Sequence, residues 1–214
     1  VLVDITKDAT ANTAEYVPMK PAEILPKVNT IKEADIEKAI DLIEKAKKPY
    51  IFVGGGVTIS GASEELAEFV EKVDAPVADT LMGKGAYPGD SPRYTGMVGM
   101  HGTKSSNLGI TKCDLLITIG ARFSDRVTGN TKKFARDAKI LQIDVDAAEV
   151  NKNIHTDAAV IGDANAVLKI LNERLTAQHH EKWMKEVEEL KEAYPLTYNP
   201  DGLTGPYVIE TLYK

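Results

Sequence analysis

The chain has 214 residues, with 26 Lys and Arg against 32 Asp and Glu, which gives a formal net charge of −6. Its 43% hydrophobic and 27% charged residues exclude bulk disorder and fibrous architectures, and its longest apolar runs fall far short of the roughly 18–20 residues of a membrane span. The acidic balance argues against nucleic acid as a partner, and the short apolar runs argue against a membrane. The single cysteine, Cys113, excludes an internal disulfide and favours a reducing compartment.

Both ends of the chain look like cut edges of a longer protein. Val1–Ile5 is a strand-like run without an initiator Met or a signal-type cleavage site, and Gly205–Leu212 opens a helix before the sequence stops. Three prolines without a sustained hydrophobic period predict a surface linker over residues 9–29. We therefore expect an excised fragment.

Helices and short strands alternate from residue 30 onwards. Thr30 and Glu33 form a capping box that predicts a helix start, and Pro49 ends that helix. Further helices are expected over residues 63–73, around residues 104–111, after the last strand and around Trp183, with a long loop over residues 79–103. The predicted strands are continuous apolar runs at residues 50–53, 76–79, 115–119, 140–144 and 159–161.

The strand pattern predicts the fold class. Continuous apolar strands need cover on both faces, and strands separated by helices or long crossovers pair in parallel. The sequence therefore predicts an α/β fold, a Rossmann-like open parallel sheet with helices on both faces, over residues 30–177. Residues 178–214 follow it as a helical linker.

Ligands of open parallel sheets bind beyond the carboxyl ends of the strands. Glycine there lets backbone approach a cofactor closely, and an aspartate can accept hydrogen bonds from ribose or ribityl hydroxyls. Alternatively, glycines merely end strands. The corners at the predicted strand ends are Gly54-Gly55-Gly56, Asp79-Thr80-Leu81, Gly120-Ala121-Arg122, Asp144-Val145-Asp146 and Gly162-Asp163.

Known nucleotide and metal motifs are incomplete in this sequence. The pattern G-x-G-x-x-G from Gly54 would need glycine where Ile59 stands. Ala164 replaces the glycine of a thiamine diphosphate motif, and Asp144-Val145-Asp146 has no phosphate-cradling loop beside it. We therefore assign no metal ligand and no catalytic residue.

Two arginines and a histidine near these corners have two interpretations each. Arg122 and Arg126 can supply donor forks for phosphate or stack on a ring, or they can form surface ion pairs with Asp125. His101 lies between two glycines, which suggests backbone close to a ligand, although a lone histidine is more often structural.

Three runs resemble the large catalytic subunits of the acetolactate (acetohydroxyacid) synthase family. They are Thr80-Leu81-Met82-Gly83-Lys84-Gly85, Gly99-Met100-His101-Gly102-Thr103 and Gly120-Ala121-Arg122-Phe123-Ser124-Asp125-Arg126-Val127-Thr128-Gly129. By this resemblance, residues 1–29 would be the end of the N-terminal pyrimidine-binding domain with its linker. Residues 30–177 would be the central FAD-binding domain of a thiamine diphosphate-dependent enzyme. Residues 178–214 would be a helical linker and the start of the C-terminal diphosphate-binding domain.

The resemblance also implies a cofactor site. FAD would lie across the strand ends, with Arg122 facing its phosphates or rings and Asp144 facing the ribose or nearby hydroxyls. Asp125 and Arg126 match positions near the mouth of the substrate channel. The FAD contacts implied are Gly55, Thr80, Leu81, Val98, Gly99, Met100, His101, Gly120, Ala121, Arg122, Phe123, Ser124, Asp144, Val145, Asp163 and Ala164.

For the full-length enzyme, the resemblance implies condensation of pyruvate with pyruvate or 2-ketobutyrate in branched-chain amino-acid biosynthesis. Thiamine diphosphate and Mg²⁺ would act there, in a cytoplasmic homo-oligomer with a regulatory small subunit. The catalytic thiamine site lies outside the fragment, so we expect the fragment itself to be inactive.

The sequence departs from the family at two places. Ser124 stands where the family usually has Asp, and residues 1–50 contain no arginine to match the linker arginine that the family uses on FAD. Two alternatives therefore stay open. One is the central domain of another thiamine diphosphate enzyme, such as glyoxylate carboligase or pyruvate oxidase. The other is a structural scaffold with a degenerate cofactor site.

Overall fold

A computed structural model describes residues 4–18, 30–199 and 201–214. Its strands are β1 (Pro49–Val53), β2 (Val77–Asp79), β3 (Tyr94–Met97), β4 (Leu115–Ile119), β5 (Lys139–Asp144) and β6 (Ala158–Ile161). Its helices are α1 (Lys7–Ala11), α2 (Glu33–Lys45), α3 (Gly55–Ile59), α4 (Ser63–Val73), α5 (Lys104–Lys112), α6 (Asp125–Thr128), α7 (Ala164–Arg174), α8 (Glu181–Ala193) and α9 (Gly205–Tyr213). Short 3-10 turns cover Leu81–Gly83 and Ala147–Glu149.

The six strands form one parallel sheet in the order β3-β2-β1-β4-β5-β6. The predicted parallel pairing of β4 with β5 is confirmed, with Leu115 opposite Lys139. The chain proceeds outward from β1 to β3, then returns to the centre at β4 and continues outward to β6. This reversal makes the boundary between β1 and β4 the topological switch point, where sheets of this order bind their ligands.

Apolar side chains on both faces of the sheet hold the helices, as the continuous apolar strands predict. One buried cluster joins Ile51 and Ile117 to α2, α4 and α7. The other joins Tyr50 and Phe52 to α5 and α8, where Trp183 is fully buried and donates its indole N–H to the Pro49 carbonyl at 2.8 Å. The α/β fold with helices on both faces is therefore confirmed.

Two local predictions within the described residues are wrong. β3 lies inside the predicted long loop. The first long helix begins at Glu33 with Lys32 at its N-cap, and no side chain caps it, so Thr30 and Glu33 do not form a capping box. Glu33 occupies the first helical position, whereas the glutamate of a capping box occupies the third.

The N-terminal predictions fall partly outside the described residues. Val1 to Val3 and residues 19–29 lie outside them, while Asp4 and Ile5 belong to no strand. Residues 12–18 are exposed and irregular, and α1 overlaps the start of the predicted linker. Cys113 is buried, as expected, and burial raises the pKa of its thiol. Among the described helices, none combines the length and apolarity needed to cross a bilayer.

Candidate functional site at the carboxyl edge of the sheet

The loops after β1 and β4 touch each other at the switch point. The Gly54 amide donates to the Ile119 carbonyl at 2.9 Å, and the Gly56 amide donates to the Gly120 carbonyl at 3.0 Å. A Cβ on Gly54 would lie 2.1 Å from the Gly120 oxygen, and one on Gly56 would lie 2.7 Å from the Gly120 Cα. These glycines therefore permit close approach of two backbone segments, which is a different role from the predicted approach to a cofactor.

Large apolar side chains lie exposed along the same edge of the sheet. Leu81 and Met82 follow β2, Met100 follows β3 and Val145 follows β5, and each is between 63% and 77% exposed. A series of exposed apolar side chains at the ligand edge is typical of a surface that binds a flat ring system. Gly55 faces this surface, since a Cβ there would lie 3.1 Å from Met82 Cβ.

The corner after β4 carries free hydrogen-bond donors. The Arg122 side chain is exposed and forms a long ion pair with Glu149, in which its Nε lies 3.8 Å from a carboxylate oxygen, beyond hydrogen-bond distance. The backbone amides of residues 121–124 donate to no other backbone group within the described ranges. A guanidinium and successive unpaired amides are the donors that bind phosphate groups in proteins.

The loop after β3 contacts α6, and this contact joins the predicted flavin residues to the predicted channel residues. The Met100 amide donates to the Arg126 carbonyl at 2.9 Å, and the Arg126 guanidinium lies 3.7 Å from the Met100 sulfur. Asp125 and His101 are exposed beside them. The structure therefore brings Met100, His101, Asp125 and Arg126 together.

Acidic side chains gather beyond β5. One Asp144 carboxylate oxygen accepts a hydrogen bond from the Asp146 amide at 2.9 Å, and Asp144 is 9% exposed. Burial raises the pKa of Asp144, the Asp146 amide opposes this rise, and the nearby carboxylate of Glu149 adds to it. A backbone hydrogen bond from Val145 also lowers the pKa of Asp144. In the part of the chain that the structure describes, no group of His, Cys, Asp and Glu could hold a metal ion.

Several predicted contacts are already engaged within the protein. Asp163 caps α7 by accepting from the Asn165 and Ala166 amides, and the Thr80 hydroxyl accepts from the Gly83 amide at 3.0 Å. The side chains of four other predicted residues are buried, so only their backbone could face a ligand: Val98, Ala121, Phe123 and Ala164. Phe123 is part of the core, since its ring packs on those of Phe52 and Phe134. Ser124 precedes α6 and its side chain caps no amide there.

Sequence reasoning missed two residues of this edge. Met82 is absent from the implied contacts, although it lies beside Leu81 and is equally exposed. Its place directly after a predicted strand end is a signal that could have selected it. Asn107 binds the backbone of the loop after β3, and no local pattern marks that role.

Comparisons with known proteins agree with this architecture. Residues 36–171 match the family model described as thiamine pyrophosphate enzyme, central domain. The chain is 52% identical over 159 residues to the probable acetolactate synthase large subunit of Methanocaldococcus jannaschii, which covers 73% of this chain and 27% of the relative. It is 42% identical over 225 aligned residues to the acetolactate synthase large subunit of Corynebacterium glutamicum, which covers 100% of this chain and 36% of the relative.

The acetolactate synthase large subunit of Parasynechococcus marenigrum is 39% identical over 208 residues, with 94% of this chain and 34% of the relative covered. The chain thus spans about a third of the length of the curated relatives that it matches. The family model covers more than half of the chain, and the six-stranded parallel sheet lies within the same region. The chain therefore belongs to the family of thiamine pyrophosphate enzyme central domains.

Proposed function

We propose that this chain is the FAD-binding central domain of an acetolactate synthase large subunit. The observation that carries the proposal is the coincidence, at one edge of the sheet, of exposed apolar side chains and unpaired donors. The acetolactate synthase large subunits reported above, similar over most of this chain, support the choice of enzyme.

The residues at this edge fit the three chemical parts of FAD. Leu81, Met82, Met100 and Val145 offer apolar contact for the ring systems. Arg122 and the amides of residues 121–124 offer donors for the diphosphate, and Asp144 offers an acceptor for sugar hydroxyls. Bound FAD would supply a redox-capable isoalloxazine ring, while the chain supplies binding and orientation.

The activity of the whole protein is part of the same proposal. A full-length protein would condense pyruvate with pyruvate or 2-ketobutyrate, with thiamine diphosphate and Mg²⁺ held outside this 214-residue chain, as a cytoplasmic homo-oligomer with a regulatory small subunit. Asp125 and Arg126, both exposed on α6, would line the substrate channel. The chain alone should make no acetolactate when thiamine diphosphate, Mg²⁺ and FAD are supplied.

One observation favours a second candidate, a scaffold domain with a degenerate cofactor site. The mutual packing of Gly54, Gly56 and Gly120 explains these glycines without any ligand. A scaffold would bind no flavin, so a flavin titration separates the two candidates.

The test compares two arginines. Arg122→Ala removes the exposed guanidinium beside the unpaired amides, and Arg136→Ala removes an exposed guanidinium elsewhere. A charge-assisted hydrogen bond to phosphate contributes about 1.5–3 kcal/mol, so Arg122→Ala should weaken FAD binding by roughly 10- to 150-fold. Arg136→Ala should bind as the wild type does. Flavin fluorescence titration measures both, and equal affinities of the two variants would contradict the assignment of Arg122.

A further inference from the structure

Asn107 holds one glycine of the site with both ends of its side-chain amide. It lies in the first turns of α5, eight residues after Gly99. Its Oδ1 accepts a hydrogen bond from the Gly99 amide at 3.0 Å, and its Nδ2 donates to the Gly99 carbonyl at 3.0 Å. Both peptide groups that flank the Gly99 Cα are thereby fixed by one side chain.

Gly99 also packs against α6. Its φ is +101°, and a Cβ there would lie 2.3 Å from the Arg126 carbonyl oxygen. The next amide, that of Met100, donates to the same oxygen at 2.9 Å. The loop therefore contacts both α6 and Asn107. Its packing leaves no room for a closer approach to α6, and the Met100 hydrogen bond to Arg126 and the two hydrogen bonds of Asn107 together oppose its displacement.

We propose that Asn107 is a positioning residue that fixes the Val98–His101 loop against α6 in the conformation that binds flavin. The inference rests on the proposed function, since it assigns to Asn107 an effect on the binding of FAD without a contact between Asn107 and FAD. Met100 and His101 are exposed and depend on the Gly99 peptide for their place at the sheet edge. The hydrogen bond from the Met100 amide to the Arg126 carbonyl joins this loop to α6. The side chain of Asn107 therefore affects the position of α6 as well as that of the loop.

The chemistry of the amide makes this role specific. Gly99 presents one donor and one acceptor, and among side chains of this size only asparagine supplies the matching acceptor and donor together. The substitution Asn107→Asp would keep the acceptor, but the ionised carboxylate that it introduces would face the Gly99 carbonyl oxygen without a proton between them. Protonation of that carboxyl at low pH would restore a donor.

The experiment uses the 214-residue chain and two independent readouts. Hydrogen exchange of the amides of residues 99–102 reports on the loop without flavin, and titration with FAD reports on the site. The variants are Asn107→Ala and Asn107→Asp, with Asn172→Ala as the matched control. Asn172 is a buried amide on the opposite face of the sheet that donates to the Glu65 carbonyl at 2.9 Å.

Asn107→Ala should accelerate exchange at residue 99 and weaken FAD binding by roughly 5- to 150-fold, the equivalent of two net hydrogen bonds. Asn107→Asp should bind FAD more tightly at pH 5 than at pH 8 relative to the wild type, whereas Asn107→Ala should show no such gain. Asn172→Ala should leave both readouts at wild-type values, whatever its effect on the unfolding free energy.

Two results would overturn the inference. Unchanged exchange in Asn107→Ala would show that Asn107 does not hold the loop, and faster exchange with wild-type FAD affinity would show that the hold does not serve flavin. A wild-type chain that binds no FAD would instead refute the proposed flavin site, and the exchange data would still decide whether Asn107 fixes the loop.

Discussion

The packing of the switch point predicts that Gly54→Ala destabilises the protein severely. A Cβ on Gly54 would lie 2.1 Å from the Gly120 oxygen and 2.5 Å from the Ala121 Cα, and both of these are backbone atoms. The backbone of Gly54 is extended, with φ −114° and ψ −179°, so alanine suffers no conformational strain of its own there. The cost is therefore entirely steric.

The magnitude follows from the displacement needed. Ordinary contact begins at 3.4 Å, so the loops after β1 and β4 must separate until a 2.1 Å approach reaches that value. That separation breaks the hydrogen bonds from Gly54 to Ile119 and from Gly56 to Gly120, now 2.9 and 3.0 Å long. Overpacking costs about 1–3 kcal/mol, and each lost hydrogen bond about 0.5–1.5 kcal/mol. We expect a loss of about 2–6 kcal/mol in the free energy of unfolding.

Urea unfolding, followed by circular dichroism and by the fluorescence of Trp183, measures the loss. Gly89→Ala is the matched control, because a Cβ at the exposed Gly89 would meet only a Tyr94 ring carbon at 3.9 Å. It should leave stability unchanged or raise it by about 0.4–1 kcal/mol. If Gly54→Ala were as stable as Gly89→Ala, the glycines would not be required for packing between the two loops.

Two further predictions concern the attachment of the segment after α7. Burial opposes ionisation of Asp74. Hydrogen bonds from the His180 amide and the Arg93 guanidinium, together with the electrostatic attraction of these two side chains, nevertheless lower the pKa of Asp74 below its usual value. A lowered folded-state pKa stabilises the protein at neutral pH and ceases to do so as the pH falls through it. Asp74→Asn should therefore cost about 1–3 kcal/mol at pH 7, and urea unfolding at pH 2 should show a smaller difference from the wild type. Trp183→Ala removes a buried ring and its bond to Pro49 and should cost about 3–5 kcal/mol. A loss below about 1 kcal/mol in thermal unfolding would show that α8 is not part of the core.

The sequence predicted the strands that lie in the centre of the sheet, because burial on both faces requires continuous apolar runs. The sequence did not predict β3, because it is an edge strand in which only Thr95 is buried and because Gly96 has a φ of +105°. Its pairing with β2 also contains a register shift between Val77 and Ala78. Glycine and half-exposed residues carry no period that sequence reasoning can use.

Two helices depart from local sequence rules: α3, which no sequence pattern predicted, and α2, whose first residue was predicted wrongly. α3 contains Gly55 and Gly56, both poor helix formers, and tertiary contact with the loop after β4 overrides their propensity. α2 begins without a side-chain cap, so a capping pattern around Thr30 gave the wrong first residue. The amphipathic bodies of the longer helices were predicted well, because their apolar faces pack on the sheet.

The candidate site likewise has a part that the sequence predicts and a part that it does not. The positions of the strand-end corners follow from topology and were predictable, whereas the partners of the residues in them were not. Gly54 and Gly120 meet because β1 lies beside β4, which only the folded strand order reveals. The two hydrogen bonds of Asn107 likewise depend on the position of Gly99 relative to α5.

We expect FAD to bind at the carboxyl edge of the sheet, and amide chemical-shift mapping of the isotope-labelled 214-residue chain can locate its binding surface. On addition of FAD, the largest shifts should fall on the loops after β1 to β5, at residues 54–56, 80–82, 98–101, 120–124 and 144–145, with Lys139 at the opposite end of β5 unchanged. No shift at millimolar FAD, or shifts confined to the amino ends of the strands, would show that this edge of the sheet does not bind FAD.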